Sequence, residues 1–210
     1  MKIGNNYVYI LDGKAYINLT NKCHNACTFC IRNTGDGVAG TSLWLKAEPT
    51  AGDVIKAFDS VKNSLNSDEV VFCGYGEPTE ALNVLTEVAA RLKAMGYKLR
   101  LNTNGLGVLT NGFDITPSLK DFDIISVSLN NSTPEKYAAV TRSVYGLNAL
   151  PAVIDFAVKC KAVGLSVVFT VVDVIGDEDI EECKKIADKT GITLRVREYI
   201  SDNYEGSDNA

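Results

Sequence analysis

Short β-rich runs alternate with amphipathic helical stretches along this chain, and that alternation limits its fold more than any other feature. It argues for parallel βαβ units. Tyr7 to Leu11 and Lys14 to Leu19 are split by Asp12-Gly13, which suits a type I′ turn, so the chain opens with a hairpin. Thr50 and Asp53 resemble a capping box, and Val54, Phe58, Val61 and Leu65 then follow helical spacing, a first helix of about four turns. Glu69 to Cys73 reads as a strand. Leu82, Leu85, Val88, Ala89 and Leu92 form a second helical face, stopped by Gly96. Lys98 to Thr103 and Asp123 to Leu129 read as further strands.

Thr133-Pro134-Glu135 reads as an N-cap with Pro at the first helical position, opening a short helix. A longer helix follows from Ala149 to Val163. Leu165 to Val172 is a nearly all-apolar strand, expected to be buried on both faces. Asp179 to Lys189 is helical, and Thr193 to Tyr199 is the last strand. Six strand units without a clear last helix predict an α/β chain: a partial (β/α)6 barrel of parallel strands preceded by an N-terminal β-hairpin. One domain over 1–200 and a polar tail over 201–210 complete the expected organisation. In such sheets function collects at the C-terminal ends of the strands.

Length and composition suit one domain with a sizeable core: 210 residues, 46% hydrophobic and 22% charged. The net charge of -5 gives no basic footprint for nucleic acid or an anionic membrane. The N-terminus lacks a basic segment followed by an apolar run, and Leu165 to Ile175 is too short to span a bilayer. A cytoplasmic location is expected. Of six cysteines, Cys73, Cys160 and Cys183 are scattered and read as buried thiols.

The other three form Cys23-His24-Asn25-Ala26-Cys27-Thr28-Phe29-Cys30, a C-x3-C-x2-C run after the second strand of the hairpin. Thiolates at that spacing can wrap an iron–sulfur cluster, zinc or Cu(I). Closed structural sites use four protein ligands. This loop supplies three, so a four-iron cluster here would keep one iron open to a small molecule. His24 or a distant cysteine as a fourth zinc ligand is the competing reading. Lys22 and Arg32 flank the thiols, either to favour their ionised form or as plain solvated charges.

The cysteine run, with an aromatic before its last cysteine, resembles the radical S-adenosylmethionine (SAM) superfamily, and the likeness covers nearly the whole chain. Tyr16-Ile17-Asn18-Leu19-Thr20-Asn21, Leu43-Trp44-Leu45 and Phe72-Cys73-Gly74-Tyr75-Gly76-Glu77-Pro78 are similar to small radical SAM proteins named for association with TatD-type hydrolases. The resemblance implies a 4Fe-4S cluster on Cys23, Cys27 and Cys30, with SAM on the fourth iron. Reductive cleavage of SAM would give a 5′-deoxyadenosyl radical that abstracts hydrogen. Phe29 would line the cluster and face the adenine. Gly74, Tyr75, Gly76 and Glu77 stand where the superfamily's G-G-E-P element meets the SAM amino group, with Tyr75 in place of the first glycine.

Leu101-Asn102-Thr103-Asn104-Gly105 resembles the third-strand end of the activases of glycyl-radical enzymes, which carry Asp where Asn102 stands. Thr103, Asn104, Ser128 and Asn130 are candidate cofactor contacts, and Val172 is a partial match to the element that packs on adenine. Arg195 and Arg197 alternate on the last strand, where an inward pair would bind a carboxylate or phosphate and an outward pair would be plain surface. The implied partners are SAM, a flavodoxin or ferredoxin-type electron donor, and a possible TatD-type hydrolase. A short chain with an uncovered lateral opening predicts a bulky substrate, such as a protein or peptide, or a partner that completes the site. An activase of a glycyl-radical enzyme and a non-catalytic zinc or iron–sulfur module are the alternative functions.

Overall fold

The computed structural model describes residues 5–33, 38 and 40–199. Among these residues, seven strands form one sheet in chain order. β1 (Val8–Leu11) and β2 (Lys14–Ile17) pair antiparallel. At their turn Asp12 and Gly13 both have positive φ, 50° and 71°, as a type I′ turn requires. β3 (Glu69–Phe72), β4 (Lys98–Thr103), β5 (Ile124–Ser128), β6 (Ser166–Val172) and β7 (Thr193–Arg197) then add in parallel. β1 and β7 are the sheet edges and do not pair with each other, so the barrel is open. The hairpin and the six parallel strands match the sequence reading.

Six α-helices among the described residues link these strands. α1 (Ala51–Val61) starts at a full capping box on Thr50 and Asp53, then tightens into a 3-10 turn over Lys62–Ser64. Its α-helical part is thus shorter than the spacing of Leu65 suggested. α2 (Leu82–Ala94) buries all five residues of the expected face. α3 (Gly107–Asn111) and a 3-10 turn at Thr116–Leu119 were not anticipated, because five residues opened by glycine give no periodic face to read. α4 (Pro134–Thr141) is capped by the Thr133 side chain, and α5 (Ala149–Ala162) and α6 (Asp177–Thr190) follow the expected spans closely.

The strands' period of two sorts the side chains. Ile17, Phe72, Leu101, Ile125 and Phe169 face the helices and form the core with Phe58, Leu85, Leu92, Val153 and Phe156. Cys160 and Cys183 lie fully buried on α5 and α6 within this core. The alternate residues, among them Tyr16, Val71, Arg100, Ser126 and Val168, share the other, open face. β6 corrects one expectation. Phe169 to Val171 are buried, but Ser166 is exposed and Val167 and Val168 are half-buried, because the opened barrel leaves this end of the strand uncovered. The tail over 201–210 and most of the glycine-bearing stretch from Asn33 to Thr41 lie outside the described residues.

Candidate active site

The thiol loop leaves the C-terminal end of β2, and backbone contacts fix it on two sides. On one side, loop amides reach the last carbonyls of α4: Ala26 N–H donates to Thr141 O and Thr28 N–H to Val140 O, both at 2.9 Å. A helix end leaves such carbonyls unpaired, so the loop satisfies them as it folds. Val144 N–H donates back to His24 O at 3.0 Å. On the other side, Glu77 N–H donates to Lys22 O at 2.8 Å.

That second contact explains a glycine. A Cβ at Gly76 would collide with Thr20 O and would stand 2.6 Å from Lys22 O, both backbone atoms that cannot swing aside. Gly74 is similarly pressed against the Asn18 side chain, with an added Cβ 2.7 Å from Asn18 Cγ. Asn18 is fully buried and donates to Leu43 O at 2.7 Å and Asn6 O at 3.2 Å, tying the hairpin to the segment after the thiol loop. Its role was not legible in advance, since it stands one residue past β2 in an otherwise apolar run.

Glu77 joins the next strand. One carboxylate oxygen accepts from Thr79 N–H at 3.2 Å, Thr79 Oγ1 at 2.8 Å and Thr103 Oγ1 at 2.7 Å. The other accepts from Asn104 N–H at 2.7 Å. Burial pushes the Glu77 carboxyl up from its ordinary value, and these donors pull it partly back. The side chain therefore braces the ends of β3 and β4. Asn104 also points its amide at Cys23 Sγ, 3.9 Å away. Cys23, Gly74 to Glu77, Thr103 and Asn104 thus form one knitted group at the C-terminal edge of β2, β3 and β4.

The Tyr75 side chain and the other candidates stand apart from that knot. Tyr75 is buried with Val38 and Leu43 in a small second core, and Trp44 meets it edge-on at 5.2 Å. Ser128 is half-buried at the end of β5. Asn130 is buried at φ 57°, a left-handed position that asparagine tolerates better than most residues. Val172 is half-buried at the end of β6, and Phe29 is half-buried in the loop. No described contact joins Ser128, Asn130 or Val172 to the thiols.

The thiols sit in a donor-rich, sheltered place. Asn25 N–H donates to Cys23 Sγ at 3.5 Å, and Arg32 Nε donates to Cys30 Sγ at 3.3 Å while its other nitrogen holds Asn25 O at 3.0 Å. Burial pushes the Cys23 thiol up to about 11 and the Cys27 thiol up to about 12, so thiolates here need a cation to stabilise them. Lys22 turns away to Glu48, leaving Arg32 as the neighbouring charge that touches a thiol. His24 pairs with Glu80 and lies 5.4 Å from the Tyr145 ring, so it anchors the loop rather than facing the thiols. The side-chain atoms of Asn25 and the Tyr137 hydroxyl are buried near Cys23 and Cys27 without a well-aligned hydrogen bond.

Among the described residues, no three His, Cys, Asp or Glu side chains converge on a point for a single metal ion. One tetrahedral zinc needs that convergence. A cubane cluster does not, because each thiolate takes a different iron. The donor set and spacing fit the cluster.

An open parallel α/β sheet with a three-thiol loop at its C-terminal edge defines an enzyme class built around a cluster-bound cofactor. The chain belongs to the Radical SAM superfamily, whose family description matches residues 17–190. The cofactors of that family are a 4Fe-4S cluster and SAM. It is 27% identical over 193 residues to a GTP 3′,8-cyclase of Corynebacterium glutamicum (strain R), across 88% of this chain and 48% of that protein. It is also 27% identical over 130 residues to a probable GTP 3′,8-cyclase of Methanothermobacter thermautotrophicus, across 61% of this chain and 39% of that one. The chain therefore spans less than half the length of either relative. Among solved structures, native anSMEcpe with bound AdoMet shares the fold at a TM-score of 0.62 and 18% identity, over 93% of this chain and 53% of that chain.

Proposed function

We propose that residues 1–200 form a radical SAM domain that cleaves SAM reductively and abstracts hydrogen from a bulky substrate, a protein or peptide. The observation that carries this reading is the knot at the edge of β2 to β4. The thiol loop, the Gly74 to Glu77 segment and Asn104 are hydrogen-bonded and packed into one unit at the C-terminal edge of the sheet. Cys23, Cys27 and Cys30 would hold the cluster, which supplies the electron that breaks a C–S bond of SAM.

The chain's own residues then have separate tasks. Arg32, Asn104 and the Asn25 amide donate to the sulfurs and offset the charge of the thiolates. The backbone of Gly74 to Glu77 would receive the SAM amino group, since the Glu77 carboxylate is already committed to four internal donors. Phe29, Ser128, Asn130 and Val172 are the proposed walls for the adenosyl part. The lateral gap between β1 and β7 would admit the substrate, and a flavodoxin or ferredoxin-type protein would deliver the electron.

Anaerobic reconstitution with iron and sulfide tests the proposal, followed by an assay for 5′-deoxyadenosine under a strong reductant. The expected result is about four irons per chain, with the product formed only when SAM is present. Cys27→Ala should lose both the cluster and the product. Zinc in the purified protein, or SAM cleavage that survives Cys27→Ala, overturns the assignment.

A further inference from the structure

Every charged residue within the seven strands lies on the open face of the sheet. They are Lys14, Lys98, Arg100, Arg195 and Arg197 against a single carboxylate, Glu69. This face is cationic in a chain whose net charge is -5. Three of the five cations are already paired at the N-terminal ends of the strands. Lys14 lies 3.1 Å and Arg100 3.3 Å from the Glu69 carboxylate, and Lys98 lies 3.0 Å from Asp68. Arg195 and Arg197 have no carboxylate partner among the described residues.

Register fixes where those two point. Arg195 pairs with Thr170, which pairs with Ser128, and Arg197 pairs with Val172, all on the open face. Two residues apart on one strand, their guanidinium stems stand roughly 7 Å from each other. The curl of the sheet brings Arg197 back across the mouth. Its charge lowers the pKa of both the Tyr9 hydroxyl on β1 and the Cys73 thiol beyond β3, opposing the rise that burial causes. Tyr9 donates to Cys73 O at 3.2 Å. Asn102 adds a buried Oδ1 that lacks a donor on the same face.

We propose that Arg195 and Arg197 form an anion-binding site on the open face that grips a carboxylate or phosphate group of the substrate. The site rests on the radical SAM reading for its purpose. Across the mouth from the strand that leads to the thiol loop, the arginines would anchor one end of the substrate. The rest of it could then extend over Ser128 and Asn102 toward the cofactor. A planar guanidinium matches both anions bidentately, so one site serves an acidic peptide group or a phosphoryl group.

The test is calorimetric titration of the reconstituted protein with two probes, glutarate and pyrophosphate, at constant ionic strength. Wild type should bind one of them in the millimolar range, and the probe that binds tells carboxylate from phosphate. Arg197→Gln should weaken that probe about tenfold or more, the loss of one charge-assisted pair. Arg197→Lys should recover only part of it, and Lys184→Gln on α6 should change nothing. Binding of neither probe to wild type, or equal binding to the Arg195→Gln/Arg197→Gln double variant with its fold intact by circular dichroism, overturns the proposal. Wild-type 5′-deoxyadenosine formation is measured in parallel. Product without probe binding removes the anion site and leaves the enzyme reading. Probe binding without product does the reverse.

Discussion

At the scale of single residues, the site depends on how closely backbone meets backbone. Gly76 lies under Thr20 O and Lys22 O, and neither carbonyl can move without shifting the thiol loop. Gly76→Ala should therefore cost about 1–3 kcal/mol, the usual range for overpacking against a fixed neighbour. The displaced loop should also bind less iron after reconstitution. Urea denaturation and iron analysis on the same preparation check both effects. An unchanged midpoint with full iron content would show that the loop is not held as described. The Gly-x-Gly pattern was visible in the sequence, but its partner was not. Residue 76 reaches back more than fifty positions to carbonyls that no local pattern marks.

At the scale of elements, the hairpin, the parallel strands and the helix faces were legible because each has a short-range signal. Asp12-Gly13 demands its turn, and Leu82 to Leu92 repeats at helical spacing. The supports between elements were not legible. The α4 carbonyls that hold Ala26 and Thr28 carry no side-chain signature, and the faces of Arg195 and Arg197 depended on which strands lay beside β7. Asp123 is another such support. It sits just before β5, holds Lys93 of α2 at 2.6 Å and accepts from Leu99 N–H of β4 at 2.8 Å. Partial burial raises its carboxyl, but the Lys93 and Leu99 bonds outweigh that and leave it below its ordinary value. A carboxyl lowered in the folded state stabilises the fold above its unfolded value of about 3.9, and that contribution fades as pH falls through the lower, folded value. Asp123→Asn should thus be less stable than wild type near neutrality, with the difference closing in acid. Thermal midpoints across that pH range test it; a gap that widens toward low pH would reverse the sign.

At the scale of the whole molecule, the open sheet divides stability unevenly, and the division matches the proposed tasks. β3 to β5 are flanked by strands on both sides and pack fully buried residues against α2 and α5. β7 has one neighbour and only Leu194 is shielded, with the other four residues exposed. The thiol loop thus stands on the rigid part, where a cluster needs fixed ligands, while the two arginines stand on an edge that can adjust to a large substrate. Protection against hydrogen exchange reflects the local opening energy of each unit. Amides of β4 that bond to β3 should exchange only through global unfolding and follow its denaturant dependence. Amides of β7 that bond to β6 should exchange far faster, through openings that barely respond to urea. A substrate that bridges the mouth would close that gap, slowing β7 and leaving β4 unchanged. Uniform protection from β3 to β7 in the free protein would mean that the edge is as rigid as the centre, and the proposed division of labour would not stand.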